Sequence, residues 1–145
     1  MALRYRADLG ESFRSGWEAN YARYMNWLIK NDKSDLRIIS WEYEPETYKY
    51  IGGQYTPDFI VMYTDLHTEV HEVKGRWQGE RKLQRYIQDH DIPVKLICNP
   101  NTKKMRSKLS NGSWWVKKDK FKVEVKVIDY IAIKREMEKI IPYWE

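Results

Sequence analysis

A single-domain α/β fold with a mixed sheet is what the order of hydrophobic patterns predicts: one long amphipathic helix, a run of strands, a second helix and a further strand. Two observations support it. The chain of 145 residues contains no Pro-, Gly- or Ser-rich stretch long enough to link two domains, and no internal repeat. Its 42% apolar residues, with 14% aromatic, suffice for one packed core.

The first element is the clearest. Trp17, Tyr21, Tyr24, Met25 and Leu28 recur at helical spacing, Ser12 or Ser15 can cap the start, and Asn31-Asp32 marks the end. Leu36 to Tyr43 and Thr47 to Ile51 read as strands, followed by a Gly52-Gly53 turn. Strands over Asp58 to Tyr63 and Glu69 to Lys74 flank a polar turn. A second helix over Gln78 to His90 carries Leu83, Tyr86, Ile87 and His90 on one side. Pro93 introduces a short apolar strand ending at Cys98, which, as the one cysteine, allows neither an internal disulfide nor a cysteine-based zinc cluster and is assigned to the core. A polar, basic stretch leads to the alternating Phe121, Val123, Val125 and Val127. A closing helix is expected over Ile128 to Ile141, stopped by Pro142.

Composition excludes collagen-like, wholly disordered and membrane-spanning chains, since the apolar runs fall far short of the ~18 residues a membrane helix needs. The N-terminus has no secretory pattern, so a cytoplasmic placement is expected. Charge is uneven. Residues 1–75 hold nine basic and twelve acidic side chains, net −3, while residues 76–145 hold 17 and nine, net +8. Such a chain can gather cations at one place and polyanions at another, although scattered solubilising charge gives the same count.

The turn between Tyr63 and Glu69 is nearly symmetric about Asp65. An antiparallel hairpin centred there pairs Ile60 with Val70 and Asp58 with Glu72, and Lys74 shares their face. Two opposed carboxylates destabilise a hairpin unless something compensates. A hard divalent cation would, because Mg²⁺ prefers carboxylate oxygens, water and substrate phosphate. Lys74 can then orient the attacking water or stabilise charge on a phosphate. The alternative is a surface triad in which Lys74 merely offsets two acids.

Tyr55-Thr56-Pro57-Asp58-Phe59, with Glu72-Val73-Lys74-Gly75 following fourteen residues after Asp58, resembles the signature of the PD-(D/E)XK nuclease superfamily. Phe13 to Glu18, Trp41-Glu42-Tyr43-Glu44 and Glu80-Arg81-Lys82 extend the likeness, over roughly residues 12–104, to the bacteriophage endonuclease I family of four-way (Holliday) junction resolvases. The resemblance implies a restriction-endonuclease-like mixed sheet flanked by helices. It also implies Asp58, Glu72 and Glu18 as metal ligands, with Lys74 completing a catalytic set of Glu18, Asp58, Glu72 and Lys74. Glu42 falls near that site, with Glu44 only two residues away. Glu18 has support of its own, at the edge of the apolar stripe one turn before Ala22 and Met25, but a first-turn acid favoured by the helix dipole looks the same. The cofactor implied is Mg²⁺, with Mn²⁺ able to substitute.

Lys103, Lys104, Arg106, Lys108, Lys117, Lys118, Lys120 and Lys122 stand against the single acid Asp119 across residues 103–122. This is the pattern of phosphate-backbone contact, and equally of a solvated loop. Trp114-Trp115 in its middle can stack on unpaired bases or lid the core. Arg76, Arg81, Lys82 and Arg85 put charge beside the proposed metal site, and Arg14 can do the same from before the first helix. The expected DNA contacts are thus Arg14, Arg76, Arg81, Lys82, Arg85, Lys103, Lys104, Lys117, Lys118 and Lys120. His67, His71 and His90 have no metal-pair spacing.

Residues 1–145 are therefore expected to form one nuclease domain whose C-terminal third, about 103–145, contacts DNA. The expected activity is metal-dependent hydrolysis of DNA phosphodiesters, selective for branched DNA; the alternatives are a nicking or double-strand endonuclease without junction preference and a noncatalytic DNA-binding module. Two symmetric incisions call for a homodimer. The resembling family exchanges N-terminal segments between protomers. The crossover would lie between Glu44 and Tyr55, where a hairpin within one chain also explains Gly52-Gly53.

Overall fold

The computed structural model describes residues 2–145. The chain begins with the hairpin β1 (Arg4–Arg6) and β2 (Glu11–Phe13), then α1 (Gly16–Asn31), β3 (Ile38–Tyr43) and a second hairpin, β4 (Tyr48–Tyr50) and β5 (Gly53–Tyr55). There follow β6 (Phe59–Tyr63), β7 (Thr68–Lys74), α2 (Glu80–Asp89), β8 (Val94–Cys98), α3 (Lys103–Lys108), β9 (Ser113–Lys118), β10 (Phe121–Asp129) and α4 (Tyr130–Met137).

Six strands make one mixed sheet in the order β3-β6-β7-β8-β10-β9. The expected register holds: Ile60 pairs with Val70, and β6 and β7 are antiparallel about Asp65. β8 lies parallel to both β7 and β10, and β9 closes the edge antiparallel to β10. Because β7, β8 and β10 run the same way, Lys74, Cys98 and Asp129 sit at one end of the sheet. The turn joining β9 to β10 sits at the other, with Lys122 roughly 23 Å from Asp129 by strand rise.

Each face of the sheet has its own core. The stripe of α1 behaves as its spacing predicts, burying Tyr21, Ala22 and Met25 with Phe13, Phe59, Val61, Ile97 and the inward side of α4. On the other face, Leu83, Tyr86 and Ile87 of α2 meet Val70, Leu96, Cys98, Trp114 and Val116. Cys98 is buried and free, and burial pushes its thiol up to about 12, which makes it an inert packing residue.

Three elements depart from expectation. The final helix is shorter than Ile128 to Ile141, because Ile128 and Asp129 continue the parallel ladder against Ile97 and Cys98. Asp129 then caps α4 by accepting from Ile131 N and Ala132 N. The basic stretch is ordered into α3 and β9, where Trp114 and Val116 face inward in alternation with the outward Trp115 and Lys117. The β1–β2 hairpin is held from the side: buried Arg6 donates to Glu145 at 2.8 Å, and Arg23 of α1 bridges Glu145 at 3.0 Å and Asp8 at 2.8 Å.

Arg6 and Arg23 together hold the Glu145 carboxyl down at about 2, against its partial burial. This depressed acid stabilises the fold above its unfolded pKa of ~4.5, and that contribution is lost as the pH falls toward 2. Glu145→Gln is expected to cost about 2 kcal/mol at pH 7, less than a fully buried pair loses because the acid is partly exposed. Thermal melts should show its deficit shrinking below pH 4; a constant deficit down to pH 2 would mean that packing, not charge, holds the hairpin. Among the described residues, no helix is long and apolar enough to cross a membrane.

Candidate metal and phosphate site

The C-terminal end of β7 collects acids from three other directions. Asp58 directly precedes β6 and stands across from Glu72, as the hairpin register requires. Its Oδ2 accepts from Val73 N at 2.8 Å, and its own N–H donates to Glu72 Oε1 at 3.2 Å. Glu18 arrives from the first turn of α1, which starts there because Ser15 caps it, its hydroxyl accepting from Glu18 N at 3.1 Å. The same hydroxyl donates to Glu18 Oε1 at 2.9 Å, and Tyr43 donates to Oε2 at 3.2 Å. The cap that starts the helix thus aims its carboxylate.

The third acid is Glu44. Strand alternation would send it to the face of Glu42, but Glu44 has φ +45°, which turns it out of the ladder after Tyr43 while its N–H still donates to Asp58 O at 2.8 Å. Oxygens of Glu18, Glu44 and Asp58 all lie within 4.8 Å of one another. Glu42 does not join them. It pairs across from Ile60 and is exposed, so the ligand expected from this strand is Glu44. No sequence signal marks that exchange: a residue before proline is biased toward extended backbone, and Glu44 departs from that bias.

Glu72 stands just behind this trio and is buried. The Tyr55 hydroxyl donates to its Oε1 at 2.6 Å, and the Lys74 ammonium lies 3.6 Å from Oε2. Lys74 is also held by the Gln78 carbonyl at 2.5 Å. Burial, together with the charges of Glu72 and Glu18, pushes the Asp58 carboxyl well above its ordinary range. Burial raises Glu72 as well, against the opposing pull of Lys74 and Tyr55. Without a cation these buried acids disfavour one another's charge, so Asp58 and Glu72 hold their protons to higher pH than usual. An all-oxygen set of three carboxylates fits a hard divalent cation such as Mg²⁺ or Mn²⁺.

Two hollows open beside the acids. One, of about 310 Å³, is lined by Arg14, Glu44, Tyr55, Glu72, Lys74 and Lys82 among others. The second, of about 370 Å³, has Glu18 and Arg76 in its wall, and Arg14 borders both. Arg14 pairs with Glu44 at 2.7 Å yet remains half exposed, so it can turn toward an arriving phosphate.

The expected basic residues are not all gathered here. Arg14, Arg76 and Lys82 border the hollows, and Lys104 lies with Arg76, Lys74 and Trp77 around a smaller cavity of about 230 Å³. Lys103 begins the same short helix as Lys104. Arg81 lines none of these hollows, and Arg85 is engaged elsewhere, paired with Asp89 at 2.7 Å and lying over the Tyr50 ring. Lys117, Lys118 and Lys120 belong to the opposite end of the sheet. Lys118 is tied there to Asp91 and to the His90 carbonyl, each at 2.7 Å. The 103–122 stretch, continuous in sequence, is thus split between the two ends. The histidines stay out of the site: His71 is buried between Tyr21 and Glu69, and His67 is clasped by Asp65 and Glu69.

Compared with models of known protein families and with curated protein sequences, the chain matches none.

Proposed function

We propose that this protein is a metal-dependent endonuclease that hydrolyses DNA phosphodiesters, with branched DNA as its substrate. The observation that carries the reading is the convergence of Glu18, Glu44 and Asp58 within 4.8 Å, in front of buried Glu72 and beside Lys74, in a hollow with basic walls. Scattered surface acids do not have their helix cap, a left-handed backbone turn and a ladder register all directed at one point.

A divalent cation held there would polarise a phosphoryl oxygen and lower the pKa of water. The chain's own groups do the remaining work. Asp58, fixed by Val73 N–H, keeps its carboxylate aimed forward. Lys74 directs its ammonium at the oxygens that gain charge in the transition state. Arg14 and Lys82 hold the flanking phosphates. The preference for four-way junctions rests on the motif resemblance, and paired incisions would require a homodimer.

The deciding experiment incubates the protein, with and without Mg²⁺, with matched linear, nicked, flapped and four-way-junction DNA. Junction-selective paired cuts are expected; equal cutting of linear duplex would remove the junction preference, and no cutting of any substrate would remove the nuclease.

One chain closes the β4–β5 hairpin on itself, with Gly52 at φ +96° in its turn, and brings Glu18 to Asp58. Glu18→Gln and Asp58→Asn chains, unfolded and refolded together, are therefore expected to stay inactive, because neither owns a complete set. Recovered nicking in that mixture would show that protomers exchange their N-terminal segments.

A further inference from the structure

The edge hairpin β9–β10 carries a feature that the acidic site does not use. Trp114, Val116 and Val125 bury one of its faces against α2, with Trp77 packed edge-on against Trp114 at 5.0 Å. The other face bears Trp115, Lys117, Lys122, Glu124 and Lys126, all of them exposed. The Trp115 indole is fixed by donating from Nε1 to the Ser110 carbonyl at 3.2 Å, yet 44% of the residue remains accessible.

The charge on this face is unbalanced by its own register. Lys117 is paired directly across from Lys122, and Lys126 across from Lys95. Like charges in directly opposed positions destabilise a sheet unless an anion lies over them. Lys95 finds its anion in Glu69 at 3.0 Å. Among the described residues, Lys117, Lys122 and Lys126 make no ion pair, and the lone acid of the face, Glu124, accepts from Ser113 at 2.7 Å. Glu124 stands directly across from Trp115, and Lys117, Lys122 and Lys126 flank the pair on both sides; a fixed aromatic ring between such unpaired cations is complementary to a chain of phosphates carrying unpaired bases. A duplex keeps its bases paired and stacked on one another and so offers the ring no free base face.

We propose that this face binds single-stranded nucleic acid, a base stacking on Trp115 and the phosphates lying over Lys117, Lys122 and Lys126. It would grip an unpaired segment independently of the acidic cluster, since its residues lie on the opposite edge of the sheet from β3.

The test measures fluorescence anisotropy of labelled oligothymidine, oligouridine and a hairpin duplex with the full chain in EDTA, so that no cleavage intervenes. Trp115→Ala is expected to weaken single-strand binding roughly 5- to 150-fold, the loss of one stacked base, and to leave duplex binding within about twofold. Trp115→Phe, which keeps a ring, should retain most of the affinity. Lys117→Ala with Lys122→Ala should flatten the log-affinity against log-salt slope by about 1.4. A preference between the two oligomers identifies the strand as DNA or RNA. Unchanged single-strand affinity in Trp115→Ala overturns the proposal, as does an equal loss on the duplex. Loss of self-association at unchanged single-strand affinity overturns it too, and assigns the face to a second copy of the chain. The assay holds no divalent cation, so its failure and a failure of the nuclease reading are separate results.

Discussion

Asp58→Asn is expected to abolish metal-dependent cleavage, by at least about 10³-fold, while making the metal-free protein more stable at pH 8. The second half follows from the sign of the pKa shift. Asp58 holds its proton to higher pH in the folded chain than in the unfolded one, because burial and the neighbouring Glu72 and Glu18 disfavour its charge. The stability tied to that proton is fully present below the unfolded pKa of ~3.8 and is lost as the pH rises through the folded value. At pH 8 the unfolded chain has released this proton, so keeping Asp58 in its buried place among like charges costs the apo-protein stability, and the neutral amide removes that cost. Asparagine still offers an oxygen to the Val73 N–H, so folding is preserved.

The same logic sets the response to metal. A cation saturating its site at a hundred times its dissociation constant adds about 2.7 kcal/mol to stability, and it must displace the proton to do so. Melting midpoints with Mg²⁺ or Mn²⁺ should therefore rise more at pH 8 than at pH 5 in the parent, and not at all in Asp58→Asn. Metal-dependent stabilisation that survives in the variant, or an apo-variant less stable than the parent at pH 8, would show that Asp58 is not the charge the site is built to compensate.

Much of this arrangement is legible in the sequence. The symmetry of the β6–β7 turn set the register from residue types alone, and register put Asp58 opposite Glu72 because side chains alternate with a period of two. The α1 stripe likewise put Glu18 at its edge, but Ser12 and Ser15 were equal candidates for the cap that aims it. Glu44 was hidden because its position depends on a single positive φ, and a backbone torsion at a non-glycine residue leaves almost no trace in composition. The lysines of residues 103–122 misled for a different reason. Sequence proximity suggested one patch, but β10 runs the length of the sheet and parallel pairing with β8 fixes its direction, so neighbours in sequence face opposite ends. β9 was obscured because Trp114-Trp115-Val116 is a continuous apolar run, in which the outward Trp115 hides the alternation of Trp114 and Val116.

Lys74→Ala is expected to lower cleavage by about 10² to 10³-fold with DNA affinity in EDTA changed by less than threefold. The magnitude is that of losing one preorganised donor to developing charge. Its geometry separates turnover from binding. Lys74 is mostly buried, tied to the Gln78 carbonyl and 3.6 Å from Glu72, and so adds little to a ground-state phosphate that Arg14 and Lys82 can reach from the walls of the hollow. Removing the ammonium also strips Glu72 of the charge that opposes its burial, so Glu72 should hold its proton to still higher pH. The pH at which residual activity appears should accordingly move upward in Lys74→Ala. A merely structural lysine would change the amount of folded protein and leave that pH where it is. An equal loss of affinity and turnover, with an unshifted pH profile, would assign Lys74 to DNA binding and leave the chemistry to the carboxylates alone.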